Sequence, residues 1–127
     1  MRREVLDTNV LLRFLVGDNE KQHAQAERWL KEAEIGKKKI VILPIVIAEA
    51  VFVLESFYKR SRVEIVRSLL VFISQRWLEV QDRETLSKMW SWYEQGFHFV
   101  DTILLAWSQV NEGAVLTFDA GIRQKTQ

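Results

Sequence analysis

Four acids in this chain of 127 residues stand where ordinary solvation does not account for them. Asp7 closes the short apolar run Val5-Leu6 and is followed by Thr8, Asn9 and a second apolar run, Val10-Leu11-Leu12. Glu49 has Ile45, Val46, Phe52 and Val53 as neighbours at helical spacing. Asp101 lies within the apolar stretch from Phe99 to Ala106, and Asp119 follows Ala114-Val115-Leu116-Thr117-Phe118. By contrast, Glu20, Glu27, Glu32, Glu34, Asp82 and Glu84 have polar neighbours and read as a solvated surface. Carboxylates brought to close range cannot all stay ionised without a cation between them. The chain has no cysteine, and its two histidines, His23 and His98, lack the spacing of a zinc site. Oxygen donors of this kind suit a hard divalent ion, magnesium or manganese.

Each acid has an ordinary reading as well. Asp7 is either a carboxylate delivered at the C-terminal end of a buried strand, where open α/β sheets keep their ligand sites, or the N-cap of a following helix. Glu49 on an apolar helix face needs compensation, because burying an unpaired carboxylate costs several kcal/mol. A salt bridge to Arg13 would supply it. Glu55 is satisfied by a surface pair with Lys59. Asp101 is placed as a first-turn acid favoured by the helix dipole, and Asp119 as a turn residue. The combination points beyond these readings, because Asp7 and Asp119 both follow strand-like runs while Glu49 and Asp101 lie on helices that follow a strand or a turn. If the first and last strands are neighbours, their ends lie about 5 Å apart and the acids share one site.

The elements needed to position them are legible in the patterning. Glu20 to Ala33, with Ala26, Trp29, Leu30 and Ala33 on one side, reads as an amphipathic helix ending near Gly36. Ile40 to Leu43 is a β-branched run and reads as a second buried strand, ended by Pro44, which suits the first turn of the next helix. Ile45 to Tyr58 is apolar almost all round, as in a helix packed on several sides. Ser61-Arg62-Val63-Glu64 matches a capping box and starts a helix with Ile65, Val66, Leu69, Leu70, Phe72 and Ile73 inward. Leu78-Glu79-Val80 is a short strand, Leu86, Met89, Trp90 and Tyr93 have helical spacing, and so do Val100, Ile103, Leu104, Trp107 and Val110. Ala114 to Thr117 reads as a last short strand. Strands alternating with helices imply an α/β architecture with parallel pairing through right-handed crossovers.

At this length the chain is expected to form a single domain, residues 1–127, with a core that needs no staples. Eighteen basic and seventeen acidic residues give a net charge of +1, so only local basic clusters can speak for an anionic partner. The longest apolar run, Ile40 to Ala48, is broken by Pro44 and is far short of a membrane span. Met1-Arg2-Arg3 is followed at once by Glu4, which does not make a signal peptide. A cytoplasmic protein with no membrane partner is the expectation.

The four acids with their contexts resemble the PIN-domain ribonucleases, and within them the small VapC-type toxins of toxin-antitoxin pairs. The matching motifs are Leu6-Asp7-Thr8-Asn9, Ala48-Glu49, Phe99-Val100-Asp101 with Leu105-Ala106 in its next turn, and Leu116-Thr117-Phe118-Asp119, spanning residues 5 to 121. The resemblance implies a three-layer fold with a central parallel sheet in the order 3-2-1-4-5 flanked by helices. Here the order is expected to stop at 3-2-1-4, because no apolar run follows the fourth acid to make the fifth, edge strand. It also implies that Asp7, Glu49, Asp101 and Asp119 are both the metal-holding and the catalytic positions, and that Thr8, Asn9 and Thr117 orient water or neighbouring groups. The implied activity is magnesium- or manganese-dependent endoribonuclease cleavage of RNA. The implied partners are a cognate antitoxin and a second copy in a homodimer.

In such a site the ions would activate water for in-line attack on phosphorus and neutralise charge on the phosphate, so no serine, cysteine or histidine nucleophile is needed. Arg13, Lys37, Lys38, Lys39, Lys59, Arg60 and Arg62, with Arg123 and Lys125, are candidates for phosphate contact, each also readable as a solvated surface residue. Trp90, Trp92, Tyr93, Phe97 and Phe99 form the densest aromatic stretch and read as core or interface before base-stacking surface. Three other functions compete. An aspartyl-phosphate phosphatase of the haloacid dehalogenase type would need a second acid where Asn9 stands. A non-catalytic PIN-like RNA- or protein-binding module would have no use for Glu49 on an apolar face. A housekeeping RNA-processing nuclease would share the site but lack an antitoxin.

Overall fold

The computed structural model describes residues 2–125. They form two compact units, one ending at Gln81 and one beginning at Asp82.

The first unit holds a parallel sheet of three strands, β1 (Arg3–Val5), β2 (Lys39–Ile42) and β3 (Glu79–Val80), with β2 in the middle. Arg3 pairs with Lys39 and Val5 with Val41, while Val41 pairs with Glu79 and Ile42 with Val80. The ladder continues past the strand ends, as Leu6 donates its N–H to the Val41 carbonyl at 2.9 Å and Gln81 to that of Ile42 at 3.0 Å. Order 3-2-1 is therefore as expected for these strands. Burial is concentrated in β2, where Ile40, Val41 and Ile42 lie inside, whereas all three residues of β1 are exposed and only Leu6 beyond it is buried. Among the described residues the first strand lies at the edge of the sheet and is exposed, not buried as its apolar run suggested.

Four helices flank this sheet: α1 (Thr8–Val16), α2 (Glu20–Glu34), α3 (Pro44–Ser56) and α4 (Arg62–Ile73). Their ends follow local chemistry. Gly17 closes α1 at φ 70°, a conformation that costs glycine nothing. Asn19 caps α2 by accepting the Gln22 N–H at 3.0 Å. Pro44 occupies the first turn of α3. Both bonds of the Ser61–Glu64 capping box are made, the Ser61 hydroxyl accepting the Glu64 N–H at 3.2 Å and the Glu64 carboxylate accepting the Ser61 N–H at 3.3 Å. Inside lie Leu11, Leu12, Leu30, Ile47, Val51, Leu54, Ile65, Leu69 and Ile73.

Two faces differ from expectation. Helix α3 is not packed all round, because Ile45 (72% exposed) and Phe52 (68% exposed) share an open face with Glu49. On α2, Ala26, Leu30 and Ala33 are buried while Trp29 keeps 38% of its surface exposed.

The second unit is helical: α5 (Arg83–Lys88), α6 (Trp90–Glu94), α7 (Phe99–Val110) and α8 (Ala120–Lys125). Helices α5 and α6 are separated at Met89, yet its φ −74° and ψ −18° remain helical, so Leu86, Met89, Trp90 and Tyr93 still share one buried face. Trp90, Tyr93 and Phe99 meet in mutual edge and tilted contacts with centroids 6.0–6.2 Å apart, which makes these aromatics core.

The inward face of α7 is not the one its large residues suggested. Val100, Leu104 and Trp107 are exposed, whereas Phe99, Thr102, Leu105, Ala106 and Ser108 are buried. The polar members of that buried face return their hydroxyls to their own helix, Thr102 to the Phe99 carbonyl at 2.6 Å and Ser108 to that of Leu105 at 2.7 Å. With the hydroxyls satisfied locally, burial costs little. The expected fourth strand is absent among the described residues: Ala114 to Thr117 has no ladder partner, and Leu116 and Phe118 are fully exposed. A strand exists only by pairing, and this unit contains no other strand.

Candidate active site

Asp7 stands where β1 hands over to α1. Its backbone is extended (φ −79°, ψ 146°) and its carbonyl accepts the first helical N–H groups, from Val10 at 3.1 Å and Leu11 at 3.2 Å, so it occupies the N-cap position. Its side chain makes no capping bond. The ordinary reading of this acid therefore holds for its position and fails for its carboxylate, which is exposed. Two open clefts meet at Asp7. One, of about 260 Å³, is bordered by Asn9, Val10, Arg13, Gln22, Gln25 and Trp29; the other, of about 230 Å³, by Glu4, Leu6, Val10, Trp29 and Lys38. Asn9 thus shares a cleft with Asp7, while Thr8 is buried beneath the helix start.

Glu49 is exposed and, among the described residues, has no hydrogen-bond or ion-pair partner for its carboxylate. The apolar face expected around it is present, but it is uncovered. The salt bridge to Arg13 does not form, because Arg13 is engaged elsewhere: Nε donates to Gln22 Oε1 at 2.6 Å and Nη1 to Asp18 at 3.1 Å, with the Tyr58 hydroxyl at 3.3 Å. Glu55 pairs with Arg62 at 3.7 Å and not with Lys59.

In the second unit Asp101 occupies the first turn of α7, behind an N-cap made by His98, whose Nδ1 accepts the Val100 N–H at 3.2 Å. Among the described residues Glu32, Glu55, Glu79 and Asp101 are the half-buried acids, and the first three have ion-pair partners. Asp101 has none, nor any hydrogen bond to its carboxylate. Asp119 caps α8, with Oδ1 accepting the Ile122 N–H at 3.0 Å. Thr117 holds this turn from both sides: its hydroxyl accepts the Asp119 N–H at 3.1 Å and its carbonyl accepts Arg123 Nε at 2.7 Å.

The structure therefore brings Asp7, Asn9 and Arg13 to one cleft and Thr117 to Asp119. Among the described residues, neither unit by itself gathers three aspartate, glutamate or histidine side chains into a set that would hold a metal. The donor chemistry of each unit nonetheless suits a hard cation: among the described residues no cation pairs with Asp7 or Glu49 in the first unit or with Asp101 in the second, where Asp119 also keeps one oxygen beyond its cap.

Several expected phosphate contacts are already committed. Lys38 pairs with Glu4 at 3.4 Å and Glu32 at 4.0 Å, Arg60 with Glu64 at 3.8 Å, and Arg62 with Glu55. Lys125 lies over the Phe97 ring at 5.8 Å. Lys37, Lys39 and Lys59 are exposed and form no ion pair among the described residues. His23 is structural: its Nδ1 meets the Arg13 carbonyl at 2.9 Å and its Nε2 the Glu27 carboxylate at 2.6 Å. Sequence patterning missed Trp29, Gln22 and Gln25, all on α2 and all at the Asp7 cleft. The available signal was a tryptophan at the edge of an amphipathic stripe, which is the position a helix can leave half open.

Comparison with protein families matches the PIN domain over residues 5–126, a span that runs through all four acids. Comparison with curated proteins and with solved structures yields no match. No helix among the described residues is long and apolar enough to cross a membrane.

Proposed function

The chain belongs to the PIN domain family, a family of nuclease folds, and from that premise we propose that it is a magnesium- or manganese-dependent endoribonuclease and the toxin of a type II toxin-antitoxin pair, acting in the cytoplasm. The reading is supported by two acids that are left unpaired where the fold offers each a role. Asp7 holds an N-cap position without capping, and Asp101 is half-buried without a partner among the described residues. A half-buried carboxylate with no partner in the chain calls for an explanation, and an ion that completes it is one.

Asp7, Glu49, Asp101 and Asp119 would hold the ion. When bound, it supplies charge neutralisation for the phosphodiester and eases deprotonation of the attacking water. The chain's own groups do the rest. Thr117 fixes the turn that presents Asp119, and Asn9 offers an amide beside Asp7 to orient water or a phosphate oxygen. Lys37, Lys39 and Lys59 are the cations available to the RNA backbone. The antitoxin and the second copy of a homodimer are further parts of the proposal. They rest on the VapC-type likeness of the motifs.

Calorimetric titration of manganese into metal-free protein, wild type against Asp7→Asn, tests the centre of this reading. Binding by the wild type that is lost in the variant supports a metal at these acids. A folded wild type that takes up no manganese at millimolar concentration would overturn it and favour a PIN-like binding module. A short reading frame for a DNA-binding protein immediately upstream would support the toxin role over RNA housekeeping.

A further inference from the structure

The cleft between α1 and α2 has a composition that the carboxylate at its rim does not explain. Trp29 and Val10 give it apolar walls, and Trp29 is the one aromatic side chain there, half open on a helix whose other inward residues are buried. Lys38 stands over the Trp29 ring at 5.7 Å, but Lys38 borders the neighbouring cleft and not this one. Gln22 and Gln25, one helical turn apart, complete the α2 side.

The orientation of both amides is dictated by arginines. Gln22 Oε1 accepts from Arg13 Nε at 2.6 Å, and Gln25 Oε1 accepts from the Arg28 guanidinium. A guanidinium only donates, so each glutamine must turn its carbonyl to its arginine. Arg13 is itself held by Asp18 and Tyr58, which fixes Gln22 from behind. Among the described residues both amide nitrogens are left without a partner. The cleft therefore offers an apolar wall and, on its α2 side, two amide donors, with the Arg13 guanidinium and the Asn9 amide also on its border and the Asp7 carboxylate at its rim.

That is the chemistry of a site for one unstacked nucleobase. Its volume of about 260 Å³ lies just below the range of roughly 300–1,000 Å³ usual for drug-sized ligands, which suits a single ring system. We propose that this cleft holds the base of a nucleotide of the RNA substrate, stacked on Trp29, and that Gln22 and Gln25 select keto bases, uracil or guanine, over amino bases. Along the major-groove edge guanine presents O6 and uracil O4 as acceptors, whereas adenine N6 and cytosine N4 are amino donors that would meet another donor. The proposal rests on the nuclease reading for the nature of the ligand and adds the rule by which the substrate is chosen.

The test is fluorescence anisotropy of labelled hexauridylate and hexacytidylate in metal-free buffer, so that no cleavage is required. Wild type should bind hexauridylate about fivefold or more tightly than hexacytidylate, the lower end of what one good base contact discriminates. Trp29→Ala should weaken both by about fivefold or more, as loss of a stacking aromatic does. Gln25→Met should reduce the preference for uridylate and the double variant with Gln22→Met abolish it, both leaving hexacytidylate binding near wild type. Equal binding of the two hexamers by wild type, unchanged binding by a folded Trp29→Ala, or no binding of either hexamer would overturn the proposal. Manganese binding with base-blind hexamer binding would remove the cleft and keep the nuclease. Uridylate preference without manganese binding would keep the cleft and remove the nuclease.

Discussion

The Tyr58 hydroxyl donates a 2.9 Å hydrogen bond to the carboxylate of Asp18, a residue 40 positions earlier in the chain. Asp18 also receives Arg13, so the α1–α2 turn, α1 and the end of α3 are tied at one polar knot beside the Asp7 cleft.

This knot makes stability pH-dependent. The Tyr58 hydrogen bond first, and the Arg13 charge after it, hold the Asp18 carboxyl below its ordinary value of 3.8. Its contribution is therefore complete above that value and is lost as pH falls through the lower, folded one. Tyr58 supplies an alkaline arm: burial first, then the Asp18 carboxylate, raises its hydroxyl above the ordinary 10.0. That contribution is complete below 10.0 and lost as pH rises through the folded value. Thermal midpoints of Tyr58→Phe measured against pH should lie below wild type at neutrality and converge on it at both extremes. A constant offset across the range would refute the linkage.

Asp7→Asn and Asp101→Asn should each abolish RNA cleavage in manganese while leaving the protein folded. Asparagine is as good an N-cap as aspartate at the exposed Asp7, and at the half-buried Asp101 the isosteric amide breaks no bond made among the described residues, so each change should alter stability by no more than about 0.5 kcal/mol. Cleavage assays paired with urea denaturation check both halves, and full activity in either variant would sink the proposed site.

Asp119 separates its two roles by substitution. Asp119→Asn keeps an oxygen for the Ile122 N–H and should preserve α8, whereas Asp119→Ala should expose that amide to exchange and cost α8 about 1 kcal/mol of local stability. Hydrogen exchange at Ile122 distinguishes them. Both variants should weaken manganese binding, and an unchanged affinity in Asp119→Asn would take this acid out of the metal set.

Removing the Ser61 hydroxyl should cost about 1 kcal/mol, the usual effect of losing an N-cap. The same hydroxyl is the first cause, and the Ser61 N–H the second, of the Glu64 carboxyl lying below its ordinary value of 4.5. The stability it adds is present above 4.5 and fades as pH falls through the folded value, so Ser61→Ala should be least damaging in acid. Urea midpoints at neutral and acid pH report this directly.

Basic residues free of ion pairs should control the salt dependence of RNA binding. Lys37→Ala and Lys59→Ala should each reduce the slope of log affinity against log salt by about one if they meet phosphates. Arg60→Ala and Arg62→Ala should change it less, since each already serves a carboxylate.

Where a feature depends on residues within one or two turns of each other, the sequence was sufficient. The Ser61–Glu64 box, the entry of Pro44 into α3, the strand at Ile40 and the N-terminal position of Asp101 on α7 all follow from such neighbours, because caps, φ restriction and helical spacing are local energies. The order of the four acids along the chain is likewise a property of the sequence, and it carried the resemblance to the family whose match spans residues 5–126.

Tertiary structure alone decided which faces are covered and which polar groups are already used. No local rule says that Trp29 stays half open while Leu30 is buried, that Thr102 goes inward while Leu104 stays outside, or that Arg13 serves Asp18 and Gln22 in place of Glu49. Nor can an extended run such as Ala114 to Thr117 become a strand by its own preference, since a ladder needs a partner's N–H and C=O groups. Coverage and pairing are set by segments distant in the chain. They are shared between elements, and so they appear only once the elements have packed.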